Sequence, residues 1–238
     1  MFGNPQFADL TIKCGERQWP AHRNIVCSRS RYFQTACPST EKVEHDVPED
    51  HTWRVANMAQ STGKNIIDFP EEDPDDVDAL LRFLYTVEYP YNDLVAAMTD
   101  LRVHTIAEKY DLSDLVKLAE LRFADNVKKA WKLPEFAQMI DSVYTQMSDR
   151  DGKLTEALLD VTLEHIKELY EEEFGAEFRR VIRSNAKFAS DINSRLMFHL
   201  KRGMRELPDL QERVGTEERS WRLCLPGVRF GWAFVSLA

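Results

Sequence analysis

Phe7–Cys37 reads FADLTIKCGERQWPAHRNIVCSRSRYFQTAC, and its reading decides the fold. Leu10, Ile12 and Cys14 fall on one side of a strand, with Thr11 and Lys13 on the other. Gly15-Glu16 is a turn signal, and Arg17–Trp19 can return as a second strand. Pro20 is expected to end that pairing, because proline cannot donate to a ladder. From Ala21 the period becomes helical, with Ile25 and Val26 one turn after His22. Arg29–Ala36 then reads as a second short helix around Tyr32 and Phe33. A hairpin followed at once by short helices predicts a sheet capped by helices.

Further along, Ile67 and Phe69 alternate against Asp68, so Asn65–Phe69 is expected to be a third strand of a mostly three-strand sheet. A helix start follows. Asp73 suits the N-cap, Pro74 the first helical position, and Asp75 and Asp76 the positive end of the helix dipole. Val77, Leu80, Leu81 and Leu84 supply its apolar stripe. Helix-start chemistry accounts for the acidic run Glu71–Asp78 without a bound cation. Tyr85–Tyr91 is an aromatic turn broken by Pro90. The next helix is expected to start at Asn92 or Asp93, with Leu94, Ala97, Met98, Leu101 and Thr105 striped and Ile106, Ala107 and Tyr110 continuing. Ser113 is placed as the cap of a helix over Asp114–Val127, where Leu115, Leu118, Ala119 and Arg122 share a face.

The blocks DLTIKCG, AHRNIVCSRSRYF and FPEEDPDDVDALLRFLYTVEY, in this order and spacing, resemble a BTB/POZ domain, particularly the single-BTB proteins of filamentous fungi. The resemblance covers residues 7–127. It implies an α+β fold, a small sheet capped by a helical cluster, with an all-helical region after it. Residues 38–57, PSTEKVEHDVPEDHTWRVAN, are polar and carry two prolines. They read as a loop inserted into the pattern, with one turn of helix near Trp53–Met58. By resemblance, Asp9 and Arg23 match an acidic and a basic position that lie close together in BTB domains and bind partners in some of them. An ion pair or two solvated charges is the plainer reading. In cullin-binding BTB domains the loop matching Met58–Gly63 carries an apolar residue, any residue, then Glu. Here Met58 supplies the apolar contact and Gln60 replaces Glu, keeping hydrogen-bonding reach without the charge. Packing of Met58 within its own domain is the alternative. Many dimeric BTB domains swap a helix that precedes the first strand; Met1–Gln6 is too short for one, so a swapped dimer is disfavoured.

The boundary is expected at Lys128–Leu133, leaving residues 128–238 as a helical region with an apolar tail. Pro134 opens a helical pattern, PEFAQMIDSVYTQM. Lys153–Phe174 reads as one long helix, with Leu154, Leu158, Val161 and His165 on one row and Leu159, Leu163, Ile166 and Tyr170 on the next. His165 is placed at the core or its boundary. Gly175 breaks the run, and Ala176–Met204 resumes it. Arg179, Arg180, Arg183, Lys187, Arg195, Lys201 and Arg202 lie on its other faces as a solvated basic side, or as a contact with the acidic first half or with a partner. In the tail, SWRLCLPGVRFGWAFVSLA, Cys224 stands apart from the other cysteines, so no zinc knuckle can be assembled there.

A formal net charge of −9 argues against nucleic-acid binding, which needs a basic surface. No apolar run approaches a membrane span, and no basic segment followed by an apolar run opens the chain. The four cysteines are unpatterned, which suits an intracellular chain, cytoplasmic or nuclear, with reduced thiols. His22 and Cys27 share one short element without a second ligand pair, so core or cap roles are expected and no metal site. There is no phosphate loop, nucleophile elbow, zinc-protease motif or Rossmann fingerprint, hence no cofactor and no catalytic residue is assigned. The leading reading is a noncatalytic protein-interaction module, in its specific form a substrate adaptor of a cullin-RING ubiquitin ligase. A self-associating scaffold or a transcription-associated protein is the alternative, and an enzyme the remote one.

Overall fold

The computed structural model describes residues 2–37, 60–63, 65–90, 95–147 and 149–202. The inserted segment with its expected turn of helix, Met58 and the apolar tail with Cys224 lie outside these residues. The chain opens with strands β1 (Leu10–Cys14) and β2 (Arg17–Ala21), then helices α1 (Arg23–Arg29) and α2 (Arg31–Ala36). Strands β3 (Gln60–Gly63) and β4 (Ile66–Asp68) complete a sheet of order β2-β1-β4-β3. β4 runs parallel to β1, and the two outer pairs are antiparallel.

Gly15 takes φ +54, the left-handed conformation that the tight turn after β1 requires and glycine adopts without cost. The alternation holds: Leu10, Ile12, Cys14, Ile67 and Phe69 are all buried.

Two expectations at the sheet are corrected. Pro20 does not end β2 but sits inside it opposite Thr11, because β2 is an edge strand whose outer side needs no donor. The sheet also has a fourth strand among the described residues. Gln60–Gly63 carries no apolar alternation and joins β4 through its backbone, with a register shift between Ser61 and Gly63.

On the buried face, the rings of Tyr32, Phe33, Phe69 and Tyr110 pack edge to face. Centroids lie 4.7 Å apart for Tyr32–Tyr110 and 5.1 Å for Phe69–Tyr110. Ser30 makes this packing possible. It leaves helical conformation (φ −141, ψ 123), so α2 turns away from α1, and its hydroxyl accepts from the Phe33 N–H at 3.3 Å. Burying rings of this size contributes about 1.5–3 kcal/mol each.

Helix α3 (Pro74–Thr86) starts as expected: the Asp73 carboxylate accepts from the Asp75 N–H at 2.8 Å, with Pro74 and Asp76 in the first turn. It ends at Val87, which is exposed and left-handed at φ +63. α4 (Ala96–Lys109) and α5 (Ser113–Ala130) follow. Ala96, preceded by Val95 as N-cap, is the first residue of α4; of the start expected at Asn92 or Asp93, residues 91–94 lie outside the described chain. Thr105 was expected in the stripe, but it is exposed and its hydroxyl bonds back to the Leu101 carbonyl at 2.9 Å. His104 is buried instead, together with Asp100. α4 is enclosed on most of its circumference, so one stripe does not describe its interior face. Ser113 is the first residue of α5 and Leu112 its N-cap.

Helices α6 (Glu135–Thr145), α7 (Lys153–Glu164) and α8 (Ile166–Glu171) come next, then a 3-10 turn (Glu173–Gly175) and α9 (Ala176–Ser184). The single helix expected over Lys153–Phe174 is broken at His165 (φ −115, ψ 20), whose half-buried ring stacks on Trp131 at 3.8 Å and 6°. The bend returns Leu169 to the interior. The helix expected over Ala176–Met204 is likewise interrupted. Asn185 leaves helical conformation, and its side chain accepts from the Phe188 N–H at 3.0 Å, capping a new helical run over 186–202. Arg179 is not part of a purely solvated face. Its guanidinium donates to the carbonyls of Leu169, Tyr170 and Glu172 at 3.2, 3.0 and 2.8 Å, closing the end of α8. One compact unit reaches to Phe188, and the second begins at Ala189. None of the described helices is long and apolar enough to cross a membrane.

Candidate partner-binding site

Asp9 and Arg23 are brought together by the β1–β2 hairpin. The Asp9 N–H donates to the Ala21 carbonyl at 3.2 Å, which sets Asp9 opposite the start of α1. Its carboxylate accepts from the Arg23 N–H at 2.8 Å. His22, at the N-cap, makes no capping bond through its own side chain, so Asp9 supplies the cap from outside the helix. The Arg23 guanidinium reaches the Asp9 carbonyl at 3.5 Å and the Asn65 side-chain oxygen at 3.2 Å. Arg23 thus ties the start of β1 to the residue before β4. Asp9 is exposed and Arg23 half-buried, so an anchored carboxylate and guanidinium stand at the surface beside one another. Such a preordered charged pair can meet complementary charges at a small entropic cost.

His22 is held on the other side. Its Nε2 faces the Gln6 carbonyl at 2.9 Å and therefore carries the proton. Nδ1 accepts from the Tyr85 hydroxyl at 2.8 Å, while that oxygen accepts from the His22 backbone N–H at 2.8 Å. Burial pushes the Tyr85 phenol above its ordinary range. Both ring nitrogens are thereby used in fixing the entry to α1.

Cys27 and Cys37, read from the sequence as unpatterned, come to the same carbonyl. The Cys27 thiol donates to the Phe33 carbonyl at 3.4 Å. That carbonyl accepts from the Cys37 backbone N–H at 2.9 Å.

Gln60 is the first residue of β3, paired with Asp68, so the third position of the Met58-Ala59-Gln60 motif starts the strand at the outer edge of the sheet. Among the described residues, β4 is the one strand that pairs with β3.

The acidic run of α3 is engaged in the domain's own structure. Glu72 pairs with Lys109 and accepts from the Tyr110 hydroxyl at 2.7 Å. Asp75 pairs with Arg17, and Asp76 with Arg102. Asp78 accepts from the Trp19 indole at 2.9 Å and from Arg82 at 2.6 Å. Among the described residues, no group of three or more His, Cys, Asp or Glu side chains could hold a metal ion.

The roles of Asn65, Tyr85 and Gln6 are not legible in the sequence, whose pattern reads Asn65 as strand and Tyr85 as part of an aromatic turn. Neither spacing carries a signal, because their partners are 42 and 63 residues away along the chain.

The features that position this site are the β1–β2 hairpin, α1 and α2, the parallel return of β4, and α3 with its proline start. The sequence profile of the BTB/POZ domain matches residues 1–127. That match takes in all of these elements and more than half of the chain. BTB domains mediate protein–protein interactions, and this chain belongs to the BTB/POZ domain family.

Proposed function

We propose that the chain is a noncatalytic adaptor that joins a protein target to a cullin-RING ubiquitin ligase inside the cell. Family membership over residues 1–127 carries this reading. The position of Gln60 at the sheet's outer edge supports it, since the motif that meets a cullin leads directly into that strand. Met58 is the apolar contact, Gln60 the neighbouring hydrogen-bonding group, and Asp9 with Arg23 a second, charged contact. The 7–127 segment is the interaction domain, and the helical residues after it extend the contact or hold the target.

Co-purification of the tagged chain, read by mass spectrometry, tests the reading, and recovery of a cullin is the expected result. Met58→Asp is expected to weaken cullin binding by about 10- to 100-fold, because a carboxylate placed in an apolar pocket is costly. Gln60→Glu is expected to preserve or tighten binding by restoring a charge-assisted bond. Thermal unfolding of both variants must match the native chain. Unfolding by Met58→Asp would make the residue part of the core. Absence of cullin binding by the native chain at micromolar concentration ends the adaptor reading. Recovery of the chain's own copies alone would then favour a self-associating scaffold.

A further inference from the structure

The helical run over 186–202 loses its cover before it ends. Ile192 is buried and Leu196 half-buried, but Met197 and Leu200 are 51% and 58% exposed. Leu196, Met197 and Leu200 stand at i, i+1 and i+4, so they share one side of the helix. Arg195 and Arg202 fall on the opposite side, and Lys201 falls at the edge next to Met197. Phe198 is exposed on the cationic side. Residues 192–202 contain no Asp or Glu. We propose that this helix end is a docking surface for a lipid bilayer that carries anionic headgroups. Met197 and Leu200 enter the interface, and the cations meet the headgroup phosphates and carboxylates. The inference does not depend on the cullin reading.

Charge selects the occupant. The formal net charge of the chain is −9, so an anionic bilayer repels it as a whole. A cationic, apolar end is the part that can approach, and it sets the orientation of the encounter. The chain's own apolar tail is a poor complement to this end. Residues 221–238 bring Arg222 and Arg229 and no Asp or Glu, so docking them here would set cation beside cation. A second copy of the helix end meets the same objection, because a two-fold contact places the same patch on both sides.

The two segments instead suit one anionic, apolar surface. Residues 221–238 hold Trp221, Phe230, Trp232 and Phe234 without helical or strand period. A protein groove that takes a helix asks for a regular stripe of anchors, whereas a bilayer interface takes aromatic rings in any order. Interfacial binding grows with buried apolar area and with attraction to anionic lipid, and stable attachment takes two signals. The helix end supplies one, and residues 221–238 the other.

Co-sedimentation of the full-length chain with vesicles tests this directly. Vesicles of phosphatidylcholine alone are compared with vesicles that also contain phosphatidylserine. The chain should sediment with the mixed vesicles, stay in solution with the neutral ones, and be released as salt is raised. Met197→Ser combined with Leu200→Ser should lower the partition coefficient by about tenfold or more, and Lys201→Ala by about fivefold. Thermal unfolding should be unchanged in both variants, because these side chains are exposed. The proposal is overturned if phosphatidylserine vesicles leave the chain unbound at millimolar lipid, if neutral vesicles bind it equally, or if the double variant binds as the native chain does. A lowered unfolding midpoint or a changed oligomeric state in the double variant also overturns it, since the apolar side would then be covered already by the tail or by a second copy. Binding to soluble poly-glutamate without binding to vesicles would assign an acidic protein partner and overturn it as well.

Discussion

Asp100 lies on α4 with no exposed surface, and its carboxylate holds three elements together. One oxygen accepts from the Tyr89 hydroxyl at 2.6 Å, the other from the Asn126 amide at 2.9 Å. Arg122 stacks over the Tyr89 ring at 4.4 Å, donates to the Tyr89 carbonyl at 2.8 Å, and acts on the Asp100 charge. Asp100→Ala removes both acceptors at once, leaving the carboxylate's volume empty. A bond to a charged group contributes about 1.5–3 kcal/mol, and breaking a buried network costs about 3–5 kcal/mol. The expected loss from Asp100→Ala is therefore about 3–5 kcal/mol. Asp100→Asn keeps the shape and one acceptor, and rotation of the Asn126 amide can meet its new donor. Its loss should be about 1 kcal/mol at neutral pH.

The two variants also separate by pH. Burial, the largest influence, raises the Asp100 carboxyl above its ordinary value of 3.8 despite the bonds from Asn126 and Tyr89. A carboxyl raised on folding binds its proton more tightly in the folded chain. Its contribution is fully present below 3.8 and is lost as pH rises through the folded value. The native chain should therefore gain on Asp100→Asn as pH falls toward 3.8, and the two should lie closest at neutral pH. Urea unfolding at a series of pH values reads both quantities. Equal losses for Asp100→Ala and Asp100→Asn at neutral pH, or a difference between native and Asp100→Asn that does not change with pH, would refute the reasoning.

Three further outcomes are expected. Gly175→Ala would place a Cβ 2.0 Å from the Leu169 carbonyl oxygen, so the α8–α9 joint must shift; thermal unfolding should report a loss of about 1–3 kcal/mol, and an unchanged midpoint would contradict the joint. Val87→Gly should stabilise the chain by up to about 1 kcal/mol, because a left-handed β-branched residue is strained and its exposed side chain adds little packing; a loss of stability would show that Val87 makes a contact that matters. Burial lowers the His104 imidazole below its ordinary 6.5, opposed by Glu108 on its own helix and by Asp149, with Glu120 of α5 3.8 Å from Nε2. The stability that neutral His104 provides is present above 6.5 and lost as pH falls below it, so His104→Leu should flatten the stability profile on the acid side of 6.5 in chemical denaturation.

Local pattern was enough for the elements whose partners lie next to them in sequence. The period-two run Leu10–Cys14, the glycine turn and the Asp73-Pro74 helix start are short-range choices of the backbone, and each stands where the residues indicated. The Asp9–Arg23 juxtaposition was also legible, through the family resemblance, because one hairpin positions both. What the pattern lacked was decided at long range. Gln60–Gly63 is polar and becomes a strand because β4 offers its open edge to pair with. Lys153–Glu171 keeps a helical period throughout, yet bends at His165, where the Trp131 ring is available to stack and Leu169 can turn inward. Arg179 looks like surface charge by its spacing and becomes a helix cap only when α9 folds against the carbonyls ending α8. Cys27 and Cys37 reach the same Phe33 carbonyl because Ser30 reverses the chain between them. Periodicity reports which side of an element is apolar. Strand neighbours, bends and side-chain partners are set by which other surface arrives there, and that is fixed only when the whole domain packs.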